Sequence, residues 1–200
     1  MGHRAIVSPL STIRALAWEL PPGAFDAVLL TSARALTQCA ALAALTSLPA
    51  YTVGNVTAES ARAAGYRDVR PGAGGGAQQV LDALAPPCRL LWLAGADRTA
   101  LVPPHGVTLT IVETYAADPT PLDAAALAEL RAGAVDWALL YSTRAVALFA
   151  RELERAGVAR GAVAIAAISP AALAATPDGW RAAVAAAAPT EAALLLAAGL

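Results

Sequence analysis

Hydroxyl and arginine side chains stand at matching places in two parts of this chain. Ser32 and Arg34 follow the apolar run 27–30, and Ser142 and Arg144 repeat the pattern 110 positions later. Each copy is a short apolar strand that passes directly into an alanine-rich helix. Such a junction exposes backbone N–H groups at the start of the helix, and these bind anionic groups. The spacing therefore predicts two ligand-binding strand ends.

A second polar strand end follows each of these junctions. Asn55 and Thr57 come after the run 50–53, and Ser169 comes after the run 163–168. These two segments lie at nearly the same offset as the first pair. Two related α/β lobes are therefore expected, each of which offers two polar strand ends to a shared crevice.

Helix capping is the competing interpretation of these hydroxyl groups. Ser and Thr at the start of a helix commonly accept a hydrogen bond from a backbone N–H group of the first turn. For Ser32 and Ser142 both interpretations stay open. The two roles are compatible, because a cap satisfies one N–H group and leaves its neighbours free.

All 14 basic residues of the chain are arginines. GC-rich codon usage explains this bias without any function. Carboxylate recognition is the functional alternative, because the planar guanidinium group can donate two parallel hydrogen bonds to a carboxylate. The arginines placed where that role is plausible are Arg34, Arg62, Arg98 and Arg144.

Other kinds of catalytic site have little support in the sequence. His3 and His105 are the only histidines, so neither a Ser or Cys triad nor a metal site is predicted. The loop 72–77 matches the dinucleotide pattern G-x-G-x-x-A, and Asp97 lies 20 residues beyond it. The preceding segment 67–71 is too charged for the buried strand that this motif requires, which favours a surface loop.

Composition and charge argue against several classes of protein. With 200 residues and 58% hydrophobic content, the chain suits one large domain or two small ones. A formal net charge of −1 does not favour a nucleic-acid-binding surface. Every stretch of about 18 apolar residues contains a charge or a proline, so no membrane span is predicted. No secretory signal follows Met1, which predicts a cytoplasmic protein, and Cys39 and Cys88 are expected to be packing residues.

Strands alternate with helices along most of the chain, which predicts parallel sheets covered on both faces. Segments 5–16 and 107–116 are extended and are expected to cross between the lobes. The predicted domain organisation is a linker strand over 1–16, a first α/β lobe over 17–106, a return linker strand over 107–118 and a second α/β lobe over 119–200.

An ordered set of motifs runs through the whole chain. The motifs are Ser8-Pro9-Leu10 with Ile13, Leu30-Thr31-Ser32-Ala33-Arg34-Ala35, Val53-Gly54-Asn55-Val56-Thr57-Ala58 with Gly65, Gly95, Gly106 before Glu113-Thr114-Tyr115, Ser142, and Ala188-Pro189-Thr190-Glu191-Ala192-Ala193-Leu194. Each motif is weak alone, but their order and spacing are specific. Together they resemble the uroporphyrinogen-III synthase (HemD-like) family. This resemblance implies two flavodoxin-like parallel-sheet lobes joined by a two-stranded linker, with the first lobe inserted into the second.

The family resemblance also implies a cofactor-free cyclisation. The implied substrate is the linear tetrapyrrole hydroxymethylbilane, which loses water and is closed with inversion of ring D to give uroporphyrinogen III in haem biosynthesis. A substrate with four acetates and four propionates needs many hydrogen-bond donors, and strand ends and helix N-termini supply them. The implied substrate-binding residues are Thr31, Ser32, Arg34, Gly54, Asn55, Thr57, Ser142, Thr143 and Ser169.

Tyr115 is the residue that the resemblance singles out for the chemistry. It matches a tyrosine that projects from the linker and is expected to donate a proton to the leaving hydroxyl group. A phenol with a pKa of about 10 is protonated at neutral pH and can act as such a donor. The alternative is a tyrosine whose ring packs between the lobes.

Two features depart from the family pattern. Ala172 stands where a threonine equivalent to Thr57 is expected, so half of one carboxylate site is predicted to be lost. The resemblance also leads us to expect that the chain begins late, because the family pattern places a strand and a helix before the position of Met1. We therefore expect a second lobe without its first βα unit, exposed strand surface at 137–141 and 163–168, and a natural start further upstream.

The partners that the resemblance implies are a linear tetrapyrrole and, transiently, the preceding pathway enzyme. Neither nucleic acid nor a membrane is expected to bind, and the chain is expected to be a monomer. Two alternatives keep the same fold: a non-catalytic two-lobe binding protein for a polycarboxylate small molecule, and an inactive truncated synthase homologue. A third alternative is a nucleotide-dependent enzyme that uses the loop 72–77.

Overall fold

The computed structural model describes residues 2–36, 41–73 and 76–200. The described chain divides into two compact units, each with its own sheet. We call Ile13–Asp118 the inserted unit, because it lies between two segments of the chain that form the other unit. That other unit, Met1–Thr12 with Pro119–Leu200, is called the terminal unit.

Within the described residues, the sheet of the inserted unit has six strands: β1 (Ser11–Ala15), β2 (Ala27–Leu30), β3 (Ala50–Thr52), β4 (Val69–Pro71), β5 (Cys88–Gly95) and β6 (Val107–Pro119). Their order is β1-β6-β5-β2-β3-β4. The pairs β2/β3, β2/β5, β3/β4 and β5/β6 are parallel. The central strands β2 and β5 are almost continuous apolar runs, as expected for a parallel sheet that is covered on both faces.

Two apolar cores lie on the two faces of this sheet. Leu30 packs in one core and Leu29 in the other, and both side chains are fully buried. Helix α1 (Ala41–Leu45) and helix α2 (Asn55–Ala63) contribute to the core of Leu30, and helix α3 (Gly76–Asp82) contributes to the core of Leu29. Adjacent residues of β2 therefore serve opposite cores, which is the alternation expected of a strand.

Two segments of the inserted unit differ from their predicted conformation. The alanine-rich helix expected directly after the run 27–30 is instead a 3₁₀ turn at Ala33–Leu36, and α1 follows it. Residues 37–40 lie outside the described residues, and so does the packing role expected for Cys39. The charged segment 67–71, in which no buried strand was expected, contains the edge strand β4, which a charged sequence can form because an edge strand leaves its side chains in solvent.

The terminal unit has a sheet of three parallel strands within its described residues, in the order β7 (Trp137–Leu140), β8 (Ala164–Ala167) and β9 (Ala183–Ala185). Strand β9 was not predicted, because its short alanine-rich sequence has no clear period. The helices of this unit are α4 (Ala124–Arg131), α5 (Thr143–Ala156), α6 (Pro170–Ala174) and α7 (Glu191–Ala198).

Helix α5 is the longest helix of the described chain and packs one apolar face on the sheet of the terminal unit. Val146, Phe149 and Leu153 recur at helical spacing and lie in one core with Ile165 of β8. The helix ends at Gly157, whose φ of 67° is the left-handed conformation that favours glycine. No helix among the described residues is long and apolar enough to cross a membrane.

Candidate functional site

The carboxyl ends of three neighbouring strands lie along one edge of the sheet of the inserted unit, and strand β6 runs past them. Their order along that edge is β6, β5, β2 and β3. Leu30 pairs with Thr52 on one side and with Leu93 on the other, so three of the strands end almost level. Gly95 pairs with Tyr115, which brings β6 into the same row. Since neighbouring strands are about 4.8 Å apart, the residues just after these pairs lie close together.

Two hydroxyl groups follow strand β2 at this edge. The Thr31 hydroxyl accepts a hydrogen bond from the indole N–H of Trp92 at 3.2 Å. The Ser32 hydroxyl accepts one from the backbone N–H of Arg34, also at 3.2 Å, so Ser32 caps the 3₁₀ turn. The side chain of Arg34 lies at the start of that turn. A hydroxyl that accepts one hydrogen bond can still donate its own proton, so capping leaves both groups able to bind an anion.

Helix α2 begins at the same edge without a side-chain cap. Its N-cap residue is Gly54, in extended conformation, which has no side chain to accept a hydrogen bond from the first turn. A Cβ atom added at Gly54 would meet no atom of the described residues within 4 Å, so these residues leave the space beside this helix start open. Asn55, the first helical residue, is exposed. Uncapped N–H groups and the helix dipole together favour a negatively charged ligand.

Thr57 lies deeper than the other predicted site residues of this unit. It is the third residue of α2 and is 9% exposed. Ala172 is the third residue of α6 in the terminal unit and is 1% exposed. The two positions are equivalent, and the structure turns both side chains inward. The hydroxyl group that a threonine would carry at position 172 would therefore be buried.

Tyr115 is half-buried on β6, beside the carboxyl end of β5. Its ring packs against the core that contains Val112, and its carbonyl oxygen accepts a hydrogen bond from Ala96 at 2.9 Å. A Cβ atom added at Gly95 would lie within 3 Å of the phenol. The phenol thus lies over the last residue of β5.

Arg98 was considered for carboxylate recognition, and the structure shows its guanidinium group bound within the unit. It donates to the Glu113 carboxylate at 2.7 Å and to the carbonyl oxygens of Gly95 and Ala96 at 3.1 and 3.2 Å. Its guanidinium carbon also lies 5.9 Å from the ring centroid of Trp92. These contacts fix the loop after β5 and occupy donors that a ligand would need.

Three hydroxyl caps follow the three strands of the terminal unit, in the described segment 119–200. Ser142 accepts from the backbone N–H of Ala145 at 3.0 Å, and Ser169 accepts from that of Ala172 at 3.2 Å. Ser142 and Thr143 are exposed, whereas Ser169 is half-buried. The capping interpretation of Ser142 is confirmed, and its ligand-binding role stays a prediction.

The third cap, Thr190, is a residue that the sequence analysis did not assign to the site. Its hydroxyl accepts from the backbone N–H of Ala193 at 3.3 Å, at the start of α7. The strand before it, β9, was not predicted, so its polar end was not considered. The same end holds Tyr141, whose hydroxyl lies 3.2 Å from the Glu191 carboxylate. Partial burial and that carboxylate raise the pKa of Tyr141.

Two pockets lie apart from the predicted residues. One of about 290 Å³ in the inserted unit is lined by Trp92, Arg98, Leu101 and Ile111 among others. Another of about 180 Å³ in the terminal unit is lined by residues of α4 and α5 with Leu122. Within residues 2–36, 41–73 and 76–200, no three His, Cys, Asp or Glu side chains are grouped so that they could hold a metal ion.

The glycine-rich loop is described only in part, since Gly74 and Gly75 lie outside the described residues. Gly72 donates its N–H to the carbonyl oxygen of Thr52 at 2.7 Å. A Cβ atom at Gly72 would lie 2.6 Å from the Val80 side chain. Close packing therefore accounts for the first glycine of the motif, and the nucleotide-binding interpretation stays untested.

Comparison with known proteins places this geometry in a family. The family model of uroporphyrinogen-III synthase HemD matches residues 1–195. The chain belongs to this family. Its members' reaction is the closure of hydroxymethylbilane to uroporphyrinogen III, so the chain is assigned to the lyases of haem biosynthesis with a tetrapyrrole substrate. No curated protein matches the sequence.

Solved structures of uroporphyrinogen-III synthases share the fold. The uroporphyrinogen-III synthetase from Helicobacter pylori matches with a TM-score of 0.66 and 17% identity, over 94% of this chain and 88% of that chain. A mutant uroporphyrinogen III synthase from Thermus thermophilus matches with a TM-score of 0.53 and 14% identity, over 96% of this chain and 85% of that chain. At such low identity these likenesses show the fold, and the predicted mixed α/β architecture with parallel sheets is confirmed.

Proposed function

We propose that this uroporphyrinogen-III synthase binds the carboxylates of hydroxymethylbilane at its polar strand ends and uses Tyr115 in the chemistry. The observation that carries the proposal is the row of level strand ends in the inserted unit. There the Thr31 and Ser32 hydroxyls and the uncapped start of α2 follow neighbouring strands, and Tyr115 lies within β6, level with the end of β5.

The donors in this row suit a polycarboxylate. Thr31, Ser32 and Asn55 carry groups that can donate to a carboxylate, Gly54 leaves space beside the backbone N–H groups of α2, and Arg34 adds a positive charge. Thr57 shapes the helix start from a buried position. In the terminal unit we assign carboxylate binding to Ser142, Thr143 and Ser169.

The reaction needs one proton and a controlled pose of the substrate. The bond between the hydroxymethyl carbon and its oxygen breaks, and a proton from the Tyr115 phenol converts the leaving hydroxide into water. The electron pair leaves with that oxygen, and a pyrrole carbon attacks the remaining delocalised cation. After ring closure a ring carbon loses a proton, which restores the aromatic pyrrole and converts the Tyr115 phenolate back into the phenol. The cation reacts readily, so the main task of the protein is to hold ring D in the pose that inverts it.

Two substitutions separate binding from chemistry. Arg34→Ala should raise KM with little change in kcat, because a charge-assisted hydrogen bond contributes about 1.5–3 kcal/mol. Tyr115→Phe should lower kcat with little change in KM, because the lost proton donor acts in the transition state. Steady-state kinetics with hydroxymethylbilane measures both values.

Arg62→Ala is the matched control for the arginine. Arg62 was among the arginines considered for carboxylate recognition, but it is exposed in the last turn of α2, and a nine-residue helix carries it about 12 Å from the strand-end edge. We therefore leave it out of the proposed site. Its kinetics should equal those of the wild type. An Arg34→Ala variant with wild-type KM would show that Arg34 does not bind the substrate and is an ordinary solvent-exposed residue.

The state of the working protein is part of the proposal. We take it to be a cytoplasmic monomer that meets the enzyme supplying its substrate only transiently. Sedimentation equilibrium should give one species near the mass of the chain, 20.1 kDa. A stable dimer at micromolar concentration would contradict the monomer.

A further inference from the structure

The direction of the Tyr115 side chain does not follow from the alternation of its strand. On β6, Leu109 packs with the core on one face of the sheet and Val112 with the core on the other. Tyr115 is three positions beyond Val112, so a regular strand would return it to the face of Leu109. Its ring packs instead with the core of Val112. A local irregularity must lie between the two residues.

That irregularity is a β-bulge between β5 and β6. Ala94 pairs with Glu113, whereas the next residue, Gly95, pairs with Tyr115, so Thr114 is the extra residue. Bulges are rare between parallel strands and are concentrated beside active sites, where they re-aim a side chain. The bulge explains why Tyr115 lies on the same face as Val112.

Thr114 gives the bulge a hydrogen bond of its own. It is 1% exposed, and its hydroxyl lies 3.3 Å from the carbonyl oxygen of Ala94, to which it donates. Ala94 is the last residue before the pairing shifts. The Thr114 hydroxyl therefore joins the two strands at the point where the ladder changes register.

Gly95 leaves the space that the re-aimed ring occupies. A Cβ atom there would lie 2.8 Å from the Tyr115 Cζ atom and 2.9 Å from its hydroxyl oxygen, closer than real Cβ contacts. Gly95 is not among the glycines with positive φ, so its backbone conformation does not require glycine. The contact with the phenol is what excludes a larger residue.

We propose that Gly95 and Thr114 are positioning residues, which set the place of the Tyr115 phenol for the proton transfer. The hydrogen bond of Thr114 stabilises the bulge that orients the Tyr115 ring. Gly95 has no side chain, which leaves room for that ring over the end of β5. This inference rests on the function proposed above, since it matters for turnover only if Tyr115 acts in the chemistry.

Kinetics of Gly95→Ala, Tyr115→Phe and the double variant test the positioning role. Gly95→Ala should lower kcat at least about tenfold with KM changed less than about twofold, because a misplacement of about 1 Å can cost about 10²-fold. The double variant should be no slower than Tyr115→Phe alone, because a displaced hydroxyl and a missing one have the same consequence. Thr114→Val should lower kcat as well, and Thr114→Ser, which keeps the hydroxyl, should restore it.

Gly161→Ala is the matched control. A Cβ atom at Gly161 in the terminal unit would have its nearest neighbour, the carbonyl oxygen of Gly179, at an ordinary 3.6 Å. Its kcat and its urea midpoint should equal those of the wild type. This comparison separates the effect of placing a methyl group against the Tyr115 phenol from the general effect of replacing a glycine by alanine.

Urea unfolding tests the packing without reference to activity. Gly95→Ala should lower the urea midpoint in the wild-type background and leave it unchanged in Tyr115→Ala, because the shorter side chain vacates the space that the methyl group needs. Equal shifts in both backgrounds would show that the ring does not pack on Gly95 and would overturn the inference.

The kinetic outcomes distinguish this inference from the proposed function. If Tyr115→Phe loses turnover while Gly95→Ala keeps wild-type kcat, or if the two losses multiply in the double variant, the positioning role is overturned and the proposed function stands. If Tyr115→Phe keeps wild-type turnover, the phenol has no part in the reaction. The proposal that Gly95 and Thr114 position the phenol for proton transfer is then overturned as well, whatever urea unfolding shows about the packing.

Discussion

Ser142 shows how one hydroxyl can serve both stability and binding. Its side chain accepts from Ala145 at 3.0 Å, yet the residue is exposed at a strand end. Asp and Asn cap helices about as well as Ser, so Ser142→Asp and Ser142→Asn should keep the free energy of unfolding within about 0.5 kcal/mol. The added negative charge of Asp should repel substrate carboxylates and raise KM well above that of Asn.

The pair of variants makes the test specific, because only the charge differs between them. Steady-state kinetics gives KM, and denaturant unfolding checks the cap. Equal KM values for Asp and Asn would mean that no substrate carboxylate binds beside Ser142, which would then be a cap alone.

Tyr66 has a buried hydroxyl that the described residues do not satisfy. The residue is 3% exposed in the core of Leu30, and its hydroxyl has no hydrogen-bond partner among the described residues. Burial raises the pKa of Tyr66 to about 12. An unsatisfied buried polar group costs about 1–3 kcal/mol, so Tyr66→Phe should leave the protein as stable or more stable. Urea unfolding measures this, and a loss above about 1 kcal/mol would reveal a partner for the hydroxyl.

The ion pair of Asp26 and Arg89 joins the beginnings of strands β2 and β5. Three hydrogen bonds of 2.7–3.1 Å run from Arg89 to the Asp26 carboxylate, one of them from the backbone N–H. These hydrogen bonds lower the pKa of Asp26 from 3.8 to about 2. Because the folded-state pKa lies below the unfolded one, the pair stabilises the protein above pH 4 and loses that effect as the pH falls toward 2.

Asp26→Asn should therefore remove part of the acid sensitivity of folding. The free energy of unfolding of the wild type should fall more steeply between pH 4 and pH 2 than that of the variant. Glu59→Gln is the control, since it removes an exposed carboxylate elsewhere in the same unit. Parallel curves for wild type and Asp26→Asn would show that the ion pair does not form in solution.

At the level of elements, the sequence predicted the strands that are continuous apolar runs. Strands β2, β5 and β8 were recognisable because a buried parallel strand is apolar on both faces. Strand β9 was missed because alanine has no strong preference for a strand, and β4 because it lies exposed at an edge. The bulge at Thr114 was also invisible, because the alternation of β6 continues to Glu113 without any sign of an extra residue.

The candidate site was predictable in its residue types and less so in its geometry. The repeated junctions identified Ser142 correctly as the residue that begins a helix, whereas Ser32 caps only a 3₁₀ turn. Burial could not be read from the pattern, so Thr57 was expected beside the other donors and lies inside. The role of Gly95 depends on a contact across two strands, which no spacing along the chain reveals.

The whole molecule repeats one plan in two units. In each unit a strand that follows an aspartate ends in a hydroxyl residue and leads into a helix, and the third residue of a second helix turns inward. Each of these aspartates also accepts a hydrogen bond from an arginine: Arg89 donates to the Asp26 carboxylate, and Arg181 donates to the backbone carbonyl oxygen of Asp136. Repetition of the plan explains why residues separated by 110 positions matched so closely in the sequence.

The identity of the tetrapyrrole product tests the central claim most directly. The protein is incubated with hydroxymethylbilane, and the oxidised products are separated into the type III and type I isomers. The spontaneous reaction gives the type I isomer, because ring D closes without inversion. We predict that the type III isomer dominates with the wild-type protein and that its rate of formation is proportional to protein concentration. A product distribution equal to that of the protein-free reaction would contradict the account.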